Sequence, residues 1–142
     1  MLVKQYKEGR RFMGKVDYEA DLLEFIERFA REKRVQAGYF QALGAVKQAV
    51  IGFYNQETRA YDNIEFSEDL EIANCLGTFS VKDGETAIHA HITLADAEGQ
   101  AFGGHLMYGT TVFAGEFWVE EFDGEPLERG IDQDTGLTLW VK

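Results

Sequence analysis

The chain has 142 residues, of which 45% are hydrophobic, and this predicts a single domain over residues 1–142 whose core needs no disulfide or structural metal. Its formal net charge of −11 argues against broad binding of nucleic-acid phosphates, which requires a basic face. The sequence has one cysteine, no run of 18 apolar residues and no signal peptide, so we expect a soluble, cytoplasmic protein without a disulfide or a membrane partner.

Positive charge is concentrated at the start of the chain. Residues 1–34 carry a net charge of +2, whereas residues 35–142 carry a net charge of −13. We interpret these basic residues mainly as solvated surface charge. The alternative is that Arg10, Arg11 and Arg34 form a local anion-binding patch.

One helix is predicted near the start of the chain, over about 18–34. Asp17 is a suitable N-cap residue for it. Arg31 and Lys33 lie near its end, where positive charge interacts favourably with the helix dipole. An apolar stripe with helical spacing runs along it, formed by Leu22, Phe25, Ile26 and Phe29.

After this helix the sequence alternates between short apolar runs and turn residues, which is typical of β-strands. Asp83-Gly84 predicts a tight hairpin, and residues 96–99 predict another turn. We therefore expect an α+β domain with a mostly antiparallel sheet and one main helix. The strands are predicted at 38–54, as two short runs around Gly44, and at 59–66, 69–81, 86–95, about 100–108, 111–122 and 137–141.

The predicted strand 111–122 has large apolar side chains on both faces, with Phe117 on one and Trp118 on the other. An antiparallel sheet in a small monomer usually leaves one face in water. Burial of both faces requires either further covering layers or a subunit interface. We expect a homo-oligomer.

All three histidines of the chain lie within 17 residues. His89 and His91 are two positions apart on a predicted strand, so their side chains share a face and their Cα atoms lie roughly 6.5–7 Å apart. His105 follows a turn and two glycines, and in a hairpin it would face about residue 90. Three converging imidazoles predict a divalent metal site, with zinc as the leading candidate and nickel, iron or copper as alternatives. The competing interpretations are three unrelated histidines, or histidines that meet at a subunit interface.

Glu71 is the candidate acidic residue of this site. On a regular strand it would share a face with Cys75, where a carboxylate is costly to bury without a partner. It is predicted as a fourth ligand, a partner of a histidine or a catalytic general base, and the alternative is an ion pair or an exposed edge position. Cys75 itself is interpreted as a small buried apolar residue.

Three segments carry a family resemblance: GYFQALGAVKQAVIGFYNQETRAY, LEIANCLGTFSV and IHAHITLADAEGQAFGGHLMYGTTV. They resemble the plants and prokaryotes conserved (PPC) domain family over roughly residues 10–122, and the H-x-H and G-G-H elements are the most specific parts. The resemblance implies a seven-stranded, mainly antiparallel sheet with one principal helix, a homotrimer, and a metal, usually zinc, on His89, His91 and His105. Plant relatives that bind DNA use an Arg-Gly-Arg-Pro hook, which these 142 residues lack, so DNA is a disfavoured partner.

A shorter likeness covers about 20 residues. The segment IHAHITLADAEGQAFGGHL is similar to the zinc-binding segment of acetolactate decarboxylase, which has H-x-H followed by F-G-G-H. This likeness implies that Glu71 is a carboxylate associated with the metal.

Two functions follow as hypotheses. The first is a zinc-binding homotrimer that acts as a metal-dependent lyase or hydrolase on a small oxygen-bearing anion held at the metal. The second is a DNA-binding or transcription-associated interaction module without catalysis. The residues leave open whether the protein is an enzyme.

Overall fold

The computed structural model describes residues 1–141 of the chain, which form one helix and nine strands. In chain order these are β1 (Lys7–Val16), α1 (Leu22–Lys33), β2 (Gly38–Asn55), β3 (Ala60–Phe66), β4 (Leu70–Lys82), β5 (Glu85–Ala95), β6 (Ala101–Leu106), β7 (Thr111–Asp123), β8 (Arg129–Ile131) and β9 (Thr138–Trp140). At 12 residues, α1 falls short of the length needed to traverse a lipid bilayer.

Seven of the strands form one antiparallel sheet in the order β1-β7-β2-β4-β5-β6, with β3 also paired to β2. The long strand β2 pairs with β7 and β4 along its first part and with β3 and β6 near its end. Because β6 pairs with both β5 and β2, the strands β2, β4, β5 and β6 form a closed circuit of pairings. The expected α+β fold with a seven-stranded sheet and one helix is confirmed, and β8 and β9 form a separate two-stranded ribbon.

The helix begins four residues later than predicted, and the prediction of Asp17 as its N-cap is wrong. Strand β1 continues to Val16, and the N-cap is Asp21, whose side chain accepts a hydrogen bond from the Glu24 backbone N–H at 3.0 Å. Asp17 instead accepts a hydrogen bond from Arg28 at 3.0 Å on the surface. The helix therefore starts only at Leu22, after the end of β1 and a short turn.

The core lies between α1 and one face of the sheet. Phe25 and Phe29 meet the ring of Phe117 edge-on, with centroids 5.3 and 5.1 Å apart. Beneath the helix, the fully buried Phe40 lies against Gly77, where an added Cβ would come within 2.3 Å of the Phe40 ring. This close packing fixes which face of the sheet is internal.

Two strand predictions differ from the structure for local reasons. β1 was not predicted, because nearly all of its side chains are exposed at the sheet edge and no apolar alternation marks it. Residues 38–54 form one continuous strand and not two short runs, because a bulge near Gly44 bends β2 without interrupting its pairing with β7. Gly44 has a φ of +140°, and an added Cβ would lie 2.1 Å from the Ala114 carbonyl oxygen.

Replacing Asp21 with alanine is expected to lower the free energy of unfolding by about 1–3 kcal/mol. The change removes the cap of α1 and also the acceptor of the Gly109 backbone N–H, which lies 2.5 Å from the carboxylate. Urea unfolding measures the loss. The matched control is Asp17→Ala, which removes only an exposed ion pair and should cost less than about 1 kcal/mol. A larger loss for Asp17→Ala than for Asp21→Ala would contradict the assignment of the cap.

Candidate metal centre

The histidines lie on the face of the sheet opposite α1. Ala90 and Ile92 of β5 point into the core, so the alternation of the strand turns His89 and His91 to the other face. His91 pairs with His105 of β6 across the hairpin. All three histidines therefore come together within one chain.

The register of this hairpin differs by one residue from the prediction, which placed residue 105 opposite residue 90. The connecting loop spans residues 96–100 and is one residue longer than the predicted turn. The Asp96 carboxylate closes it by accepting hydrogen bonds from the backbone N–H groups of Glu98 and Gln100 at 3.0 and 2.8 Å. The longer loop moves His105 from a position opposite Ala90, whose side chain faces the core, to one directly opposite His91.

The three imidazole rings are mutually close. The centroids of His89 and His91 are 5.2 Å apart, those of His89 and His105 5.0 Å, and those of His91 and His105 5.5 Å. One nitrogen from each ring can be chosen so that all three lie within 4.8 Å of one another. Nitrogens on one tetrahedral zinc lie about 3.3 Å apart, given Zn–N bonds of about 2.0–2.1 Å. Small side-chain rotations would therefore bring these nitrogens onto a common ion. Residues 1–141 contain no other group of histidine, cysteine or acidic side chains that meets this criterion.

A glycine allows β6 to lie close against β2. Gly104 packs against β2, where an added Cβ would lie 2.9 Å from the Gly52 carbonyl oxygen. The ring of Tyr61 lies next to the ring of His105, and their centroids are 5.0 Å apart. The position of His105 is thus set by pairing on two edges and by an aromatic contact.

The local environment keeps two of the imidazoles neutral. Burial, followed by the other two histidines and Arg129, lowers the pKa of His105 to about 4. Burial, then Arg129 and His91, also lowers the pKa of His89. Neutral imidazole is the form that binds metals, because its free nitrogen lone pair is available.

One buried nitrogen lacks a partner. Nδ1 of His105 has no hydrogen bond within the described part of the chain, although it is inaccessible to solvent. A buried polar atom of this kind is costly unless something else binds it. The donor set and this orphaned atom both fit a metal ion.

Two open cavities meet at the histidines. One, of about 310 Å³, is lined by His89 and His105 together with Arg129 from β8. The other, of about 530 Å³, is lined by all three histidines and by Tyr61. Tyr61 and Arg129 were not predicted as site residues, because each reaches the histidines from a distant part of the chain.

Glu71 is not brought to the histidines. A bulge in β4 between Ile72 and Asn74 reverses the alternation of the strand, so Glu71 does not share a face with Cys75 as predicted. The side chain is exposed, and residue 71 pairs with Ala95, four positions along β5 from His91. That separation corresponds to roughly 13 Å. Within one chain, Glu71 therefore lies away from the three histidines.

Arg10 and Arg11 agree with the interpretation as surface charge, and Cys75 agrees with the interpretation as a buried apolar residue. Arg10 forms a short ion pair with Glu121 at 2.5 Å, and Arg11 lies 3.6 Å from Glu120, so these two arginines are paired on the surface. Cys75 is fully buried, and burial raises the pKa of its thiol to about 12. It is therefore a core residue and not a nucleophile.

Comparison with known proteins identifies a matching family and solved structures that are similar over most of the chain. The family model of the Plants and Prokaryotes Conserved (PCC) domain matches residues 3–123. The crystal structure of a metal-containing protein from Archaeoglobus fulgidus is 41% identical, with a TM-score of 0.95 and 100% coverage of both chains. A plant- and prokaryote-conserved protein from Pyrococcus horikoshii is 32% identical, with a TM-score of 0.93 and coverage of 100% of this chain and 98% of that one.

Two further comparisons concern function. A candidate DNA-binding protein from Bacteroides thetaiotaomicron is 29% identical, with a TM-score of 0.87 and 96% coverage of both chains. The bifunctional protein GlmU from Synechococcus sp. strain JA-3-3Ab is 36% identical over 94 residues, which make up 66% of this chain. The chain spans only 14% of the length of that curated relative.

In the metal-free protein, the free energy of unfolding is expected to fall as the pH drops from about 6.5 towards about 4. In this interval the unfolded chain takes up a proton at residue 105, whereas the folded chain with its lowered pKa does not. His105→Gln removes this contribution and should make the pH dependence shallower by a few tenths to about 1 kcal/mol. Urea unfolding at pH 6.5 and 4.5 measures the difference. Equal losses in the two proteins would contradict the lowered pKa.

Proposed function

The chain belongs to the Plants and Prokaryotes Conserved domain family, and we propose that it is a metal-dependent member that holds one divalent ion on His89, His91 and His105. The proposal rests on the convergence of three ring nitrogens within 4.8 Å in one chain. Zinc is the proposed ion because a set of three imidazole ligands suits it. The description of the Archaeoglobus fulgidus relative as metal-containing supports the same proposal.

The proposed reaction is a metal-assisted lyase or hydrolase step on a small oxygen-bearing anion. Three protein ligands leave a coordination position open, as in catalytic zinc sites and unlike closed structural ones. A divalent metal supplies Lewis acidity that polarises a carbonyl or phosphoryl oxygen. The chain contributes the three imidazoles, the aromatic contact of Tyr61 with His105, and an open cavity through which a small ligand enters.

We further propose that the protein assembles as a homotrimer through the face of the sheet that carries the histidines. This face has no helix over it, and a row of paired residues crosses it from Met13 through Trp118, Gln41 and Leu76 to His91. Met13 and Leu76 are 87% and 45% exposed, which is costly for large apolar side chains in a monomer. The number of subunits is taken from the family resemblance.

The second candidate function is binding of DNA, and it is motivated by the description of the Bacteroides thetaiotaomicron relative. The charge of this chain argues against DNA binding. The net charge is −11, and Arg10, Arg11 and Arg28 each lie within 4.0 Å of a carboxylate oxygen. A surface that neutralises its own cations releases few counterions from a phosphate backbone.

Protein purified without a polyhistidine tag is expected to contain about one zinc per chain by elemental analysis. His91→Ala is expected to weaken zinc binding on the order of 100-fold or more, because it removes a ligand. The matched control is Glu71→Gln, which should leave the affinity unchanged within about twofold because that carboxylate is exposed and distant. Absence of metal from the wild-type protein would overturn the proposed function. An equal loss in Glu71→Gln would show that Glu71 takes part after all.

The proposed trimer has a mass of about 48 kDa, three times the 16.1 kDa of the chain, and light scattering after size exclusion measures it. Leu76→Glu is expected to give monomers, since it places a charge in the middle of the exposed apolar row. Val3→Glu introduces the same charge at an exposed terminal position and should leave the trimer intact. A wild-type mass near 16 kDa would contradict the assembly.

A further inference from the structure

The ribbon formed by β8 and β9 is the feature that carries this inference. It lies beyond residues 3–123, which the family model matches, and it forms one wall of the cavity at the histidines. A hydrogen bond from the Val81 backbone N–H to the Leu127 carbonyl at 2.9 Å attaches the chain just before the ribbon to the end of β4. Leu137 and Thr138 of the ribbon region line the cavity together with His89 and His105. A segment outside the family match therefore shapes the site.

Within this wall, Arg129 is held in a defined position. Its Nε donates a hydrogen bond to the buried Ser80 hydroxyl at 2.6 Å, and one terminal nitrogen donates to the Thr138 carbonyl at 3.2 Å. The guanidinium also lies over the Trp140 ring, 5.4 Å from its centroid. A guanidinium has five N–H groups, so these two hydrogen bonds leave others available for a ligand.

Arg129 has no carboxylate partner among residues 1–141. Across residues 1–141, no acidic oxygen lies within 4.0 Å of its guanidinium, although the chain has 25 acidic residues. The exposed arginines Arg10, Arg11 and Arg28 do have such partners. Arg129 is partly buried, and burial lowers its pKa, so its charge is poorly solvated. A cation held this way beside a cavity is stabilised when an anion enters.

Arg129 and two of the histidines line the same cavity. The wall of this cavity, which has a volume of about 310 Å³, includes Arg129, His89 and His105. Lys82 lines the same cavity and adds a second cation at its rim. The cavity is therefore electropositive even before a metal is added, in a chain whose net charge is −11.

We propose that Arg129 is the specificity residue of the site and recognises the carboxylate group of a small substrate. The substrate class is a small carboxylate anion with a second oxygen, which faces the three-histidine centre while the carboxylate pairs with the planar guanidinium fork. A cavity of about 310 Å³ accommodates a molecule of this size. This inference rests on the proposed metal function and adds the chemical class of the ligand.

The test uses glycolate, the simplest carboxylate with a neighbouring hydroxyl, and zinc-loaded full-length protein. Its Kd is measured from backbone amide shifts of residues 137–139 during an NMR titration. Arg129→Gln is expected to raise the Kd for glycolate about tenfold or more, since a charge-assisted hydrogen-bonded pair is lost. Glycolamide, which is neutral and of the same size, should bind both proteins equally within about twofold. The matched control is Arg31→Gln, which removes an exposed arginine at the end of α1 and should behave as the wild-type protein.

A second readout needs no substitution, in case the loss of the Ser80 hydrogen bond unfolds the variant. In the wild-type protein, the Nε–H signal of Arg129 is expected to shift on addition of glycolate and to stay in place with glycolamide. Equal glycolate affinities of the wild-type protein and Arg129→Gln, or an unmoved Nε–H signal, would overturn this inference alone. A wild-type protein that takes up no zinc would overturn the proposed function and this inference with it.

Discussion

The candidate site depends on the register between β5 and β6. In an antiparallel pair, a slip of one residue turns every side chain of a strand to the opposite face, so His105 joins the other histidines only while it pairs with His91. Three features hold that register: the carboxylate of Asp96 in the loop, the close approach of Gly104 to β2, and the ring of Tyr61 over His105. Because β6 bonds to two strands at once, slippage would break hydrogen bonds on both of its edges.

The two faces of the sheet have different roles. Helix α1 and its phenylalanines cover one face of the sheet and complete the buried core together with the strands. The other face carries the histidines, the exposed apolar row and the arginine delivered by the ribbon. The core is complete without the second face. Side chains on that face can therefore serve ligand binding or association with little loss of stability. This division explains how three imidazoles and a charged guanidinium coexist with a well-packed domain.

Much of this arrangement was predictable from local patterns, and the remainder was not. The spacing of His89 and His91 and the hairpin after them depend on neighbours in sequence, and both were predicted. The face of the sheet on which Glu71 lies depends on one bulge in β4. No residue type in the sequence indicates this bulge, so the predicted face was wrong. Arg129 enters the site through contacts with Ser80 and Thr138, and long-range packing of this kind leaves no signature in a single sequence.

The burial of Cys75 bears on the behaviour of the protein under oxidative stress. Peroxide and disulfide reagents attack thiolates, and a fully buried thiol with a pKa of about 12 presents almost none at neutral pH. The three proposed ligands are all imidazoles, which lack the sulfur that makes cysteine-rich zinc sites release their ion on oxidation. Neither Cys75 nor the proposed metal site therefore offers a thiolate to an oxidant at neutral pH.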